Sequence, residues 1–397
     1  MAADIVPWIE LALRWLHVIT GIAWIGASFY FVWLDGNIRK AEGGNPLVAG
    51  ELWAVHGGGF YHNQKYLVAP EQLPPHLHWF KYEAYFTWIS GFLLLAVIYY
   101  YGANVFLIDQ SKLALTPLEA IAISLAFLGA GWLIYDGLCR SPLGRDGMVF
   151  GTIWFLILVA AAYALTCIFS DRAAYLHVGA IAGTAMVANV FFVIIPNQKK
   201  VVASMLAGET PDARLGLQAK QRSLHNNYMT LPVLLIMISN HYPMLYGSSI
   251  NWLVLAALSV SGIMIRHVFN LRHKGELNWL LAFGAVLVFV ATMLITISMQ
   301  HSASNAPSAT VPYATARAIV DKHCVMCHAA HPTHDGIATP PMGLDFTDDA
   351  TVRRNVSRIL LQAVTTKAMP LGNETGMTDA ERATLGAWLR QGANTSP

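Results

Sequence analysis

Residues 277–299 read LNWLLAFGAVLVFVATMLITISM, an apolar run without a single charge. Its length is close to the roughly 20 residues that a helix needs to cross the hydrocarbon core of a bilayer. The composition changes abruptly after it. Residues 301–312, HSASNAPSATVP, are polar and rich in Ser, Ala and Pro, which predicts a linker. Residues 313–397 then carry charges of both signs and predict a small soluble helical domain. Working upstream, comparable apolar runs lie at about 8–34, 83–105, 117–137, 148–169, 174–196, 226–246 and 250–270. The sixth of the eight runs is interrupted by Pro232 and by the polar Asn226, Asn227, Asn240 and His241. The expected fold is therefore all-α, with an eight-helix transmembrane bundle over residues 1–300 followed by the soluble tail.

Composition agrees with this division. Of 397 residues, 55% are hydrophobic and only 12% charged, and the mean hydropathy is +0.46. Soluble proteins carry about twice that charged share. A net charge of +2 argues against nucleic acid as a partner. Four cysteines are too few for a disulfide scaffold, and 12 Trp, 15 Tyr and 17 Phe exclude a disordered chain. The natural partner is the lipid bilayer. Fourteen Lys and Arg, among them Arg39, Lys81, Arg140, Lys199, Lys220 and Lys274, fall in one set of loops, and only Lys112 and Arg172 in the other. The positive-inside bias then puts the basic loops in the cytoplasm, with both termini and the tail outside. The first run is long and lacks a basic flank with a cleavage site, so it is expected to remain as a span.

The tail contains Cys324-Val325-Met326-Cys327-His328, a C-x-x-C-H sequence. Two thiols at this spacing can add to the vinyl groups of a haem while the following His reaches the iron. A redox C-x-x-C would lack that His, and a zinc knuckle would need further ligands such as His331 and His334. Downstream, Lys367-Ala368-Met369-Pro370-Leu371-Gly372 presents a Met on a loop between helical stretches, as a thioether sixth ligand requires. Met342 and Met377 compete for that role. The expectation is covalent haem c on Cys324 and Cys327, with His328 and Met369 as axial ligands. From the helix before Cys324 to the last helix at Asp379–Gln391, the tail resembles a class I cytochrome c.

Two segments of the membrane part show ordered similarity. Leu16-His17-Val18 in the first run parallels Leu176-His177-Val178 in the fifth, and Glu83-Ala84-Tyr85-Phe86-Thr87 parallels Asn226-Asn227-Tyr228-Met229-Thr230. This suggests two repeated four-helix units. Intramembrane His at matching positions is one way to hold haem b, so His17 and His177 are candidate ligands of a second, membrane haem. The lone His of a membrane helix is otherwise a hydrogen-bonding group.

The longest loop between spans reads HGGGFYHNQKYLVAPEQLPPHLHWFKYEAY at residues 56–85. Its glycines allow close approach of backbone to a ligand, although its aromatics and basic residues equally suit a membrane interface. His56, His62, His76 and His78 match no standard metal spacing. With eight spans and a fused cytochrome c, this loop resembles the bacterial membrane-bound urate oxidase family. The resemblance covers essentially the whole chain. It implies oxidation of urate to 5-hydroxyisourate, with electrons passed to the fused haem c instead of dioxygen and then to a terminal oxidase or soluble cytochrome. It also implies a bacterial inner membrane with the tail in the periplasm. Urate is a planar anion, so Lys65 or Arg266 could supply charge, and Gln64, Asn226 or Asn227 could read its edge. His62, Glu83 and His267 are candidate proton acceptors. The other readings are a membrane-anchored cytochrome c relay and a transporter with a redox domain.

Overall fold

The computed structural model describes residues 2–40, 45–304, 310–335 and 337–394. Residues 305–309 of the expected linker lie outside the described residues, and residues 301–304 continue the last long helix. The N-terminal bundle comprises α1 (Ala2–Asn37), β1 (Val48–His56), β2 (Gly59–Tyr66), α2 (Tyr82–Leu95), α3 (Pro117–Arg140) and α4 (Gly147–Ile168). It continues with α5 (Asp171–Ala188), which passes through a π-helical turn at Asn189–Ile194 into α6 (Ile195–Leu206). Then come α7 (Ala213–Ser239), the short α8 (Pro243–Tyr246), α9 (Asn251–His273) and α10 (Trp279–Ser304). Local chemistry sets these boundaries. Thr116 and Glu119 form a capping box at the start of α3 with Pro117 in its first turn, and the Ser170 hydroxyl accepts from the Ala173 N–H to cap α5.

Among the described residues, seven stretches are long and apolar enough to cross a membrane: α1, α2 with its π extension to Tyr100, α3, α4, the continuous α5–α6, α9 and α10. The sixth expected run is the exception. It falls in α7, which begins at Ala213 and carries buried Arg222, Asn226, Asn227 and Thr230. Most of its polar groups find partners on α3, α5, the π-helical turn and α9. The bundle closes around α5, whose small residues Ala173, Ala174, Gly179, Ala182 and Ala185 let neighbours approach closely. A methyl group added at Gly131 or Gly179 would meet Ile181 or Ile236 at 2.5 or 2.6 Å. The large exposed side chains, such as Trp15, Ile22, Leu133, Leu156 and Leu280, lie on the outside.

The purely helical expectation needs one correction. β1 and β2 pair antiparallel with His56 opposite Gly59, so Gly57 and Gly58 form a two-residue hairpin turn. Both have positive φ, at +57° and +81°, which is what such a turn demands. The glycines read as a ligand-approach loop are thus spent on reversing the chain. Lys65 donates to Asp35 at 2.6 Å and ties the hairpin to the end of α1.

The tail has a hydrophobic core of its own around Ala316, Val320, Val352, Leu385, Trp388 and Leu389. Its helices are α11 (Tyr313–His323), α12 (Asp349–Arg354), α13 (Val356–Ile359) and α14 (Asp379–Arg390). Glu381 fastens α14 to α11. Its carboxylate accepts from Lys322 Nζ at 2.8 Å and from the Thr378 N–H at 2.8 Å. These bonds, with His323, hold its carboxyl well below the usual glutamate range. A depressed carboxylate stabilises the fold above its unfolded pKa and loses that contribution as pH falls through the folded value. The tail is accordingly expected to lose stability progressively below about pH 4.5, and Glu381→Gln to flatten that dependence. Thermal unfolding across an acid pH series measures both.

Candidate functional site

In the tail, the segment after α11 continues as a helical turn. The Cys327 and His328 amides both donate to the Cys324 carbonyl, at 3.2 and 2.8 Å. Positions i, i+3 and i+4 of such a turn share one face, so Cys324, Cys327 and His328 are presented together. The ring of His328 lies 4.8 Å from that of Phe346, and its Nδ1 bonds the Leu344 carbonyl at 3.2 Å. That bond selects the tautomer with Nδ1 protonated and leaves Nε2 with a lone pair, the orientation in which His ligates a metal. Burial lowers the His328 pKa, which favours the neutral ring.

The rival uses of this motif are poorly supported by the same surroundings. Burial pushes the Cys324 thiol up to about 12 and raises that of Cys327, the reverse of an activated redox pair. Both are free thiols. His334 pairs with Glu374 at 2.9 Å, and among the described residues no three His, Cys, Asp or Glu side chains converge as a metal-binding group.

The motif opens into a cavity of about 450 Å³, a size typical of cofactor sites. Met369 lines it on the loop after α13. The Met369 amide donates to the Gln362 carbonyl at 2.9 Å, and buried Arg382 donates to the Met369 carbonyl at 2.6 Å and to Asn373 at 3.0 Å. Met342 and Met377 line the same cavity; Met377 is in addition buried in the tail's core, and Met342 is 79% exposed.

Part of the wall comes from the bundle. Phe106 and Asp109 line it from the segment between α2 and α3, Arg172 from the start of α5, Asn240 and His241 from the end of α7, and Tyr246 from α8. Arg172 donates to Asn240 at 3.0 Å. The Met369 loop seats directly on the bundle: Ala368 packs against the bundle core, and Gly372 lies against main-chain carbonyls of Val105 and Ile108.

The other expected site residues are dispersed. His62 is exposed on the hairpin, bonded to Glu51 at 2.8 Å and stacked on Trp53 at 4.3 Å. Lys65 is used by Asp35, and Glu83 stands in the first turn of α2. His267 on α9 is bonded through Nδ1 to Tyr228 of α7 at 2.6 Å. His17 leans on α2 through Thr87 and Ser90, and its ring lies over Gly91. His177 is fully buried against α3, with Nε2 on Ser124 at 2.6 Å and Nδ1 on the Ala173 carbonyl at 2.7 Å. Both ring nitrogens of His177 are engaged, so as placed it has none free for iron. The two histidines serve different helix pairs and do not assemble a shared haem site.

The family model described as urate oxidase N-terminal matches residues 3–298. The chain belongs to the urate oxidase N-terminal family. The match covers the bundle and stops where α10 gives way to the tail. No curated protein and no solved structure matches the chain. Urate oxidase family membership makes an oxidoreductase acting on urate the coarse expectation for this bundle. What sequence reasoning missed in it is the contribution of the bundle to the tail's cavity. Arg172 served only to set orientation, and nothing in its local sequence marks it as facing Met369.

The seam yields a prediction. Gly372 has φ +57°, and a Cβ there would lie 2.7 Å from the Val105 oxygen and 2.8 Å from that of Ile108. Gly372→Val should weaken docking by about 2 kcal/mol or more, combining backbone strain with the clash. Gly376→Ala, at φ +65° with open space, should show only the strain of about 1 kcal/mol. Proteolytic cleavage within residues 301–312 reads the difference, accelerating in the first variant alone.

Proposed function

We propose that this protein oxidises urate to 5-hydroxyisourate in its membrane bundle and passes the electrons to a haem c held by the tail, without dioxygen. Urate gains an oxygen from water and gives up two electrons and two protons. The observation that carries the reading is the cavity built jointly by the C-x-x-C-H turn, the Met369 loop and the bundle. Read as the cradle of an electron acceptor, this cavity would lie against the bundle that belongs to the urate oxidase family, which supports the reading.

Cys324 and Cys327 would carry the haem covalently, and His328 and Met369 would ligate its iron. The haem would supply a one-electron acceptor. Leu344 holds the His328 ring, and Arg382 holds the loop bearing Met369. Both therefore limit rearrangement when the charge of the centre changes. In the bundle, the His267–Tyr228 pair offers a proton acceptor on the α7–α9 seam. The positive-inside bias of the loops supports a tail on the outer side, and in a bacterial inner membrane, as the family resemblance implies, a terminal oxidase or soluble cytochrome would collect the electrons there.

Anaerobic addition of urate to the purified oxidised protein tests the reading. Appearance of the reduced haem c α-band, with two haems reduced per urate consumed, is the expected result. An intact haem that stays oxidised would instead favour a membrane-anchored relay fed by another enzyme. Cys324→Ala together with Cys327→Ala should abolish covalent haem and urate turnover, leaving urate binding in place.

A further inference from the structure

α7 and α9 pack together, and α1 meets them near the hairpin end, where a Cβ on Gly36 would lie 2.7 Å from that of His273. Three polar side chains meet at this crossing. Asn227 is fully buried, Arg266 is 3% exposed and Asn270 8%. The Asn227 Oδ1 is their hub, accepting from Arg266 Nε at 3.0 Å and from Asn270 Nδ2 at 2.9 Å. Those two bonds fix which end of the Asn227 amide is oxygen. The Arg266 guanidinium lies 3.9 Å from the centroid of the Phe29 ring, which holds it flat.

Each of the three nevertheless keeps a buried polar atom without a partner: Arg266 Nη2, Asn227 Nδ2 and Asn270 Oδ1. Among the described residues no carboxylate is paired with Arg266. The same bundle shows what a settled buried arginine looks like. Arg222 on α7 donates to Asp136 at 2.7 Å and to Asn189 at 3.1 Å. An unpaired charge and three unmet hydrogen-bonding atoms inside an apolar bundle are strongly unfavourable unless something supplies the missing partners.

The missing partner has a defined chemistry. It must bring negative charge and acceptors for two N–H donors, and beside them an N–H donor for Asn270 Oδ1. A simple anion meets the first requirement and fails the second, because it would face the amide oxygen with another acceptor. A planar purine anion meets both, since ring N–H and C=O groups alternate along its edge. We propose that Arg266, Asn227 and Asn270 bind the urate anion, with Phe29 positioning the guanidinium. This rests on the urate reading above and adds the place and the contacts. The His267–Tyr228 pair lies one position along each of the same two helices.

The test compares urate binding by equilibrium dialysis and thermal unfolding of the purified full chain with its Arg266→Met and Asn270→Ala variants. Arg266→Met should weaken urate binding roughly 100-fold, as expected for losing charge-assisted hydrogen bonds. Its melting temperature without urate should equal or exceed that of the parent, because an unpaired buried charge has gone. Asn270→Ala should weaken binding roughly tenfold. Xanthine, planar but mostly uncharged at neutral pH, should bind less well than urate, and inorganic phosphate should not displace urate. Parent-like urate affinity in Arg266→Met, or in Asn270→Ala should Arg266→Met fail to fold, overturns the assignment while leaving the urate reading intact. So does displacement by phosphate, which marks a general anion site. A parent protein that neither binds urate nor reduces its haem with it removes the urate reading itself.

Discussion

Inside an apolar bundle a polar side chain finds its partners in the protein or nowhere, and this constraint organises the helices here. Arg222 of α7 reaches Asp136 on α3 and Asn189 at the π-helical turn after α5. Asn189 in turn donates to Tyr135 and to Asn226, and Tyr135 is bonded to His225. The network thus locks α3, α5 and α7 in one register. Breaking a buried ion pair by removing one partner costs about 3–5 kcal/mol, more than most single packing contacts. The π turn is part of the same solution, since an extra residue in the helix re-aims a side chain. Against this background of satisfied groups, the open valences around Arg266 stand out as a different kind of place.

How much could be read from the chain depended on the range of the physics involved. Long apolar runs report their own burial in lipid, so the spans from α1 to α5 and again α9 and α10 were legible from hydropathy. α7 was not, because its stability comes from partners on other helices and its composition is accordingly polar. C-x-x-C-H was legible because a helical turn alone brings its three groups together. The hairpin was hidden because Gly57-Gly58 in an aromatic, basic stretch reads equally as a loop. Arg266 and Asn227 could be named as candidates, yet Asn270 and Phe29 could not, since only the packing of α9 on α1 and α7 unites them. The hydrogen bond of His177 to Ser124 was not legible, because Ser124 comes from a helix that local sequence does not relate to it.

The proposed substrate site and the tail's cavity occupy opposite ends of the bundle. Along α9 the rise from Arg266 back to Asn251 is about 22 Å. On the proposed function that separation exceeds a comfortable single electron transfer, so the interior between the two would have to conduct. The end nearer the tail contains a series of rings, with His177 and Tyr99 at 6.5 Å, Tyr99 and Phe106 at 6.3 Å, and Phe106 in the wall of the cavity. His177 sits among those rings. On the proposed function, the arrangement would separate the protons released by urate chemistry from the place where electrons leave.

Gly372 brings the backbone of the Met369 loop into contact with the backbone of the bundle, with no side chain between them. A cytochrome that serves a diffusing donor leaves this face open and depends on collision, charge attraction and therefore salt. Here the face is occupied by the chain's own bundle. On the proposed function, arrival of electrons at the tail would be a first-order event, indifferent to protein concentration and largely to ionic strength. Only their departure, from the uncovered side of the tail, would remain a matter of encounter.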